Sequence, residues 1–279
     1  MRNNLSKQIP VANKFKIGGD KLSLFAGPCQ IESKELCLEV AETLIPICES
    51  LDINLVFKSS FDKANRTSLN SERGFGLEQG LKILAEIKEE TNLPIISDIH
   101  LPEQAEAAAH VLDIIQIPAF LARQTDLLVA AGKTGKTIHI KKAQFMKASD
   151  MKFSAEKVSN SGSDNILLCE RGTSFGYGDL VVDMRNLIIM RKLGYPVIFD
   201  ATHSVQKPGS GNGTTGGNRE YVPYLAKAAI ATGIDGLFIE THPNPDNAPS
   251  DGPNMIPLKD MPQLLEELSN LWNSTRVCT

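Results

Sequence analysis

A cysteine, a histidine and two carboxylates stand out at the ends of apolar runs. Cys29 closes LSLFAGPC, His203 follows PVIFDAT, Glu240 follows GLFI, and Asp251 lies in PSDGP. Thiolate, imidazole and carboxylate together suit a divalent first-row ion such as Zn, Fe, Mn or Co. Their linear spacing is no zinc-finger pattern, and a lone cysteine is more often buried filler than a ligand. His100 and His242 are rival ligands, or rim histidines held by hydrogen bonds. The second group is cationic: Lys58, Lys63 and Arg66 in KSSFDKANRTS, then Arg123, Lys141, Lys142 and Arg171. In a chain of formal net charge -4, this grouping suggests an anionic substrate, most simply one or more phosphates. Any one of them has a bland alternative, a solvated loop cap. That alternative is weaker for Lys58 and Lys141, which directly follow LVF and IHI.

The elements that position these residues are short apolar runs: LSLFAGPC (22–29), INLVFKSSF (53–61), LPIISDIH (93–100), IIQIPAF (114–120), TIHIKKAQF (137–145), NILLCERG (165–172), PVIFDATH (196–203) and GLFIETHP (236–243). Several are apolar on successive residues, as parallel strands covered on both faces require. Amphipathic helical segments lie between them, at 33–50, 78–90, 102–112, 179–193, 219–232 and 260–272. Ser33 reads as an N-cap, and Pro102 as a first helical residue. Strand and helix alternating about eight times predicts a (β/α)8 TIM barrel, one domain over 1–279. Residues 1–21 read as an N-terminal hairpin capping the barrel bottom. An open doubly wound sheet is disfavoured, because no G-x-G-x-x-G follows an early strand.

In a barrel the strand ends form one rim, where active sites sit. Here they carry Cys29; Lys58; Asp98 and His100; Gln116; Lys141 and Lys142; Glu170 and Arg171; Asp200 and His203; Glu240 and His242. Such groups after buried runs are costly unless they meet one another, a ligand or a metal. Strands 1, 7 and 8 are neighbours in a closed sheet, so Cys29, His203 and Glu240 converge, with Asp251 supplied by the last strand's loop. The remaining cysteines, 37, 48, 169 and 278, read as structural or incidental.

An odd count of five cysteines in 279 residues, without small-scaffold spacing, fits a reducing compartment. With no signal-peptide core in MRNNLSKQIPVANKFKIGG and no membrane-length apolar run, the expectation is a soluble cytoplasmic protein. Neither charge nor a basic tail points to nucleic acid. KPGSGNGTTGGN (207–218) lacks the closing G-K-[ST] of a Walker loop and reads as a mobile lid.

KSSFDKANRTS, PAFLARQTDLL, KKAQF, ERGTSFGYGDLVVDMR, PVIFDATHSVQ and GLFIETHPNPDNAPSDGP together resemble the 3-deoxy-D-manno-octulosonate 8-phosphate synthases (2-dehydro-3-deoxyphosphooctonate aldolases). The resemblance runs in order from about residue 20 to 270. It implies condensation of phosphoenolpyruvate with D-arabinose 5-phosphate and water, releasing phosphate, for lipopolysaccharide biosynthesis. Cys29 at the end of strand 1 resembles the metal-dependent branch, where the other branch has asparagine. The resemblance then makes Cys29, His203, Glu240 and Asp251 ligands of a divalent ion. It assigns Lys58, Lys63, Lys141 and Arg171 to phosphoenolpyruvate, Asn65, Arg66 and Thr67 to the sugar phosphate, and Asp98 and Gln116 to the pocket wall. Arg123 resembles a residue that reaches a neighbouring subunit, which implies a homo-oligomer, usually a tetramer. Lys58, Lys63, Asp98, Lys141 and His203 are the candidates for catalysis. Which group moves protons stays open, Asp98 and His203 among them.

This chain departs from the family in Ala143 for the proline of K-K-P-Q-F, and in Asp179 for an asparagine read as a helix cap. Alternatives are a 3-deoxy-D-arabino-heptulosonate 7-phosphate type synthase, a metal-dependent barrel hydrolase using Asp98, His100 and His203, and a non-catalytic sugar-phosphate sensor.

Overall fold

A strand buried on both faces must be apolar inward and outward, and the strands here divide their side chains in that way. In the computed structural model, which describes residues 7–66, 68–69, 71–175, 178–211 and 214–277, the strands are β1 (Ser23–Gly27), β2 (Asn54–Lys58), β3 (Ile95–Asp98), β4 (Ile114–Ile117), β5 (Thr137–Lys141), β6 (Ile166–Glu170), β7 (Val197–Asp200) and β8 (Gly236–His242). Each pairs in parallel with the next, and β8 pairs with both β7 and β1, which closes the sheet. A short Ile256–Pro257 segment adds in parallel to the end of β8.

Alternate residues serve two cores. Leu24, Ala26, Leu55, Phe57, Ile115, Ile138, Ile140, Leu168, Phe199 and Ile239 pack outward into the layer under the helices. Phe25, Val56, Ile96, Ile114, Leu167, Cys169, Ile198 and Phe238 fill the interior. The strand period of two therefore explains why the runs look continuously apolar. The hairpin of Ile9–Val11 and Phe15–Ile17 adds Ile9, Val11 and Ile17 to the inner core. Thr137 Oγ1, at the start of β5, donates to Pro10 O at 3.4 Å, so the hairpin sits at the strands' N-terminal end.

The outer layer is α1 (Lys34–Ser50), α2 (Gly76–Thr91), α3 (Gln104–Val111), α4 (Thr125–Lys133), α5 (Met151–Ser159), α6 (Arg185–Arg191), α7 (Val222–Thr232) and α8 (Met261–Val277). Ser33 caps α1, its hydroxyl accepting from Leu36 N at 3.1 Å. Two expectations shift. Pro102 lies in a turn, and α3 begins at Gln104. Asp179 caps no helix: it precedes a two-residue strand at Leu180, pairs with Lys207 at 3.4 Å, and α6 starts only at Arg185. The glycine-rich stretch forms a hairpin, Gln206–Gly211 against Thr214–Gly217. A Cβ at Gly217 would come within 1.4 Å of Asn254 Oδ1, so that side chain would have to shift.

Candidate active site

Two residues beyond the last inner apolar residue, the strands turn polar, and their side chains line a cavity of about 330 Å³ at the C-terminal mouth. That is a volume suited to small molecules. Lys58, Lys63, Asn65, Arg66, Asp98, Gln116, Lys141, Arg171, His203 and Asp251 all line it. Cys29 and Glu240 lie just beneath, buried. Arg123 is exposed and outside the cavity lining. Thr67 lies outside the described residues, as does Cys278. The expectation that every strand ending serves the mouth needs correction. Lys142 turns away, pairing with Glu170 at 3.3 Å and donating to Gly172 O and Thr173 Oγ1 at 3.2 Å each. His242 also lies off the cavity, its Nε2 3.0 Å from Glu32.

The wall at β1, β7 and β8 gathers the soft and anionic groups. One donor atom each from Cys29, Glu240 and Asp251 lies within 4.8 Å of the others. Cys29 Sγ donates to Asp251 Oδ2 at 3.3 Å. His203 Nε2 stands 3.7 Å from Glu240 Oε2, and that oxygen is buried with no hydrogen-bond donor among the described residues. The opposite ring nitrogen, Nδ1, lies 2.8 Å from Asp200 Oδ2. A carboxylate only accepts, so Nδ1 carries a proton towards Asp200, while Nε2 faces Glu240. Gly27 allows β1 to end this close to β2, since a Cβ would sit 2.0 Å from Lys58 O.

The cations are each held by an anion or a polar group. Lys58 Nζ donates to Cys29 O at 3.0 Å and pairs with Glu240 Oε1. Lys141 Nζ donates to Asp200 Oδ2 at 2.6 Å. Lys63 Nζ donates to Ser60 Oγ at 2.9 Å. Arg66 spends its donors on Glu72 O, Ser250 Oγ, Gln30 Oε1 and Pro249 O, at 2.7 to 3.1 Å. Arg171 bonds Gln206 through Nη2, while its buried Nη1 has no acceptor among the described residues. Gln206 Nε2 in turn donates to Asp251 Oδ1 at 2.6 Å.

These neighbours shape the titration. Burial pushes the Cys29 thiol up, with Glu240 adding to the rise. Burial also opposes charge on Asp98, but the hydrogen bond and charge of His100, with Lys63 and Lys58, hold it well below the carboxylate range. Asp200 is likewise held down against burial by His203 and Lys141, and Asp251 by His203 and Lys63. Lys63 stays above its usual value despite burial, through Cys29, Glu240, Asp98 and Asp251. The mouth is thus a set of fixed charges. Sequence reasoning put Asp200 on the rim but gave it no task, and it passed over Gln206. The signal for Asp200 was its place three residues before His203, on the inward face.

Two comparisons bear on this arrangement. A sequence model of the DAHP synthetase I family matches residues 7–276. The 2-dehydro-3-deoxyphosphooctonate aldolase of Rhizobium meliloti is 59% identical over 249 residues, 89% of each chain. That of Agrobacterium fabrum is 60% identical over 249 residues, 89% of this chain and 88% of its own. The chain belongs to the DAHP synthetase I family, with the 2-dehydro-3-deoxyphosphooctonate aldolases. A third such relative, from Geotalea uraniireducens, is 57% identical over 263 residues, 94% of this chain and 96% of its own. The family match extends over the whole barrel, hairpin included.

Proposed function

We propose that the chain condenses phosphoenolpyruvate with D-arabinose 5-phosphate and water to give 3-deoxy-D-manno-octulosonate 8-phosphate and inorganic phosphate, a step of lipopolysaccharide biosynthesis. The observation that carries this reading is one cavity lined by Lys58, Lys63, Arg66, Lys141 and Arg171, in a chain whose relatives bear the aldolase name. Lys58, Lys63, Lys141 and Arg171 hold the carboxylate and phosphate of phosphoenolpyruvate. The Nη1 of buried Arg171, unpaired among the described residues, supports an anion there, since an orphan guanidinium donor is costly. Asn65, Arg66 and Thr67 take the sugar and its phosphate, with Asp98 and Gln116 against the pocket wall.

The reaction joins C3 of phosphoenolpyruvate to C1 of the open-chain sugar. The enol π pair forms that bond, water adds at C2, and a proton goes to the aldehyde oxygen. C–O cleavage then expels phosphate and leaves a ketone at C2. The cations hold two anions in register with the water, which turns a multi-body encounter into an oriented one. Asp98, held ionised, is a weak base and serves better to fix Lys63 and Ser60 than to take a proton. His203, its Nδ1 bound to Asp200, offers Nε2 to the cavity wall.

Cys29, His203, Glu240 and Asp251 fit a divalent cation. Three of their donor atoms converge within 4.8 Å, and Glu240 Oε2 is a buried acceptor without a donor among the described residues. Asp200 behind His203 is the usual support of a metal-bound imidazole. Such an ion, Zn, Fe, Mn or Co, would supply Lewis acidity towards the aldehyde oxygen or the water. The deciding experiment is phosphate release from phosphoenolpyruvate with a panel of aldose phosphates, with and without chelator. Arabinose 5-phosphate should be the best acceptor, and chelation should abolish turnover until a divalent ion is restored. Preference for erythrose 4-phosphate would favour the heptulosonate type instead, and full turnover by verified metal-free protein would remove the metal.

The reading extends to a homo-oligomer, a tetramer, in which Arg123 reaches a neighbour's sugar phosphate. Its exposure outside its own cavity supports this, as do exposed Phe120, Phe145, Phe153 and Phe175. All four lie in or after the loops that follow β4 to β6, where a covered apolar surface is expected. Mixing Arg123→Ala with Lys141→Ala protein should restore activity in hybrid sites; none after confirmed subunit exchange would confine Arg123 to its own subunit.

A further inference from the structure

Phe238 lies on β8 two residues before Glu240, fully buried at the top of the inner core. Lys141 Nζ stands 3.8 Å from its ring centroid and Lys58 Nζ 5.3 Å. The His203 ring is 5.7 Å away, tilted by 52°. His139 stacks on the ring at 6.2 Å, nearly parallel at 5°, and lies 5.5 Å from Phe25 in turn. Two ammonium groups therefore lie within cation–π range of one desolvated ring. Burial and Lys141 hold His139 down at about 3, so it adds no third positive charge.

We propose that Phe238 is a positioning residue, whose π face keeps the ammonium groups of Lys141 and Lys58 at the cavity floor while their carboxylate partners serve other groups. Each ion pair is shared. Glu240, which pairs with Lys58, also faces His203 Nε2. Asp200, which pairs with Lys141, also holds His203 Nδ1. Any cation drawn to Glu240, or any anion pulling on the lysines, loosens these pairs. The attraction of the ring persists, because it does not depend on those carboxylates. An aliphatic residue of similar volume would fill the space and offer no such attraction. The inference rests on the reading that these lysines bind an anionic substrate.

The test replaces Phe238 with mono-, di- and trifluorinated phenylalanine, which withdraw charge from the ring face with little change of shape. The logarithm of kcat/KM for phosphoenolpyruvate should fall in proportion to fluorine count, reaching about a tenfold loss, at an unchanged thermal midpoint. The same series at Phe25, which has no lysine over it among the described residues, should leave kcat/KM flat. A flat series at Phe238, or a loss that tracks falling thermal stability at both positions, overturns the proposal. Lys141→Ala separates the two levels. If that variant keeps its phosphoenolpyruvate kinetics, the anion reading itself fails; if it is inactive while the fluorine series is flat, only the role of Phe238 falls. Should the trifluoro variant not fold, the mono- and difluoro points still fix the slope.

Discussion

Inside the barrel, the same eight strands build two unlike regions one step apart. Phe25, Val56, Ile96, Ile114, Cys169, Ile198 and Phe238 make an apolar floor. Two residues on from six of them stand Lys58, Asp98, Gln116, Arg171, Asp200 and Glu240, while Phe25 is followed by Gly27. In the mouth the ionisable groups have partners in place: Lys58 with Glu240, Lys141 with Asp200, Asp98 with His100. The floor treats a titratable group in the opposite way. His139 is fully buried, neither ring nitrogen has a hydrogen-bond partner among the described residues, and burial with Lys141 pushes its pKa down to about 3. Burial penalises charge in both regions, and only partners decide whether it survives.

The comparison predicts a separation of effects, and the largest belongs to the mouth. Arg66→Ala should raise KM for arabinose 5-phosphate about thirtyfold, the value of one charge-assisted phosphate contact of about 2 kcal/mol. KM for phosphoenolpyruvate should move far less. Equal rises for both substrates in steady-state kinetics would mean that Arg66 serves the other phosphate.

Next comes the cavity wall. Cys29→Ser should weaken metal retention at least about tenfold, because a hydroxyl is a poor replacement for thiolate. Metal content after dialysis against a graded chelator reads this directly. Unchanged retention would leave Cys29 as filler.

The smallest effect belongs to the floor, and it appears in stability. The folded pKa of His139 lies below its ordinary 6.5. Between pH 6.5 and about 3 the unfolded chain therefore binds a proton that the folded chain refuses. This group makes the protein less stable as pH falls through that window, by about 1.4 kcal/mol per unit. His139→Leu removes the term, so the stability difference between variant and parent should shift in the variant's favour by about 1.4 kcal/mol from pH 7.5 to 5.5. Urea unfolding at the two pH values measures it, and an unchanged difference would show that His139 finds a proton partner in the folded state.

Strand and rim were legible in the sequence because parallel strands covered on both faces must be apolar on successive residues. The residue that breaks such a run is also the residue that reaches the mouth. The sorting of neighbours was less visible. Lys141 and Lys142 looked alike as a pair of cations, yet the period of two sends one to the cavity and the other to Glu170. Counting alternation from Thr137 separates them. Asp200 and Gln206 escaped for another reason: their tasks are relations to His203 and Asp251 that only folding creates. The helix expected over 179–193 began late because a two-residue strand at Leu180 takes up its first residues.

The N-terminal hairpin has a consequence for traffic. With Ile9, Val11 and Ile17 packed into the inner core, the hairpin covers the strands' N-terminal end, opposite the mouth. Lys58 and Lys141 lie deep in that mouth, while Asn65 stands exposed and Arg66 half-buried nearer the opening. On the proposed reading, an anion held by the deep lysines boards before the occupant of Arg66 and leaves after it.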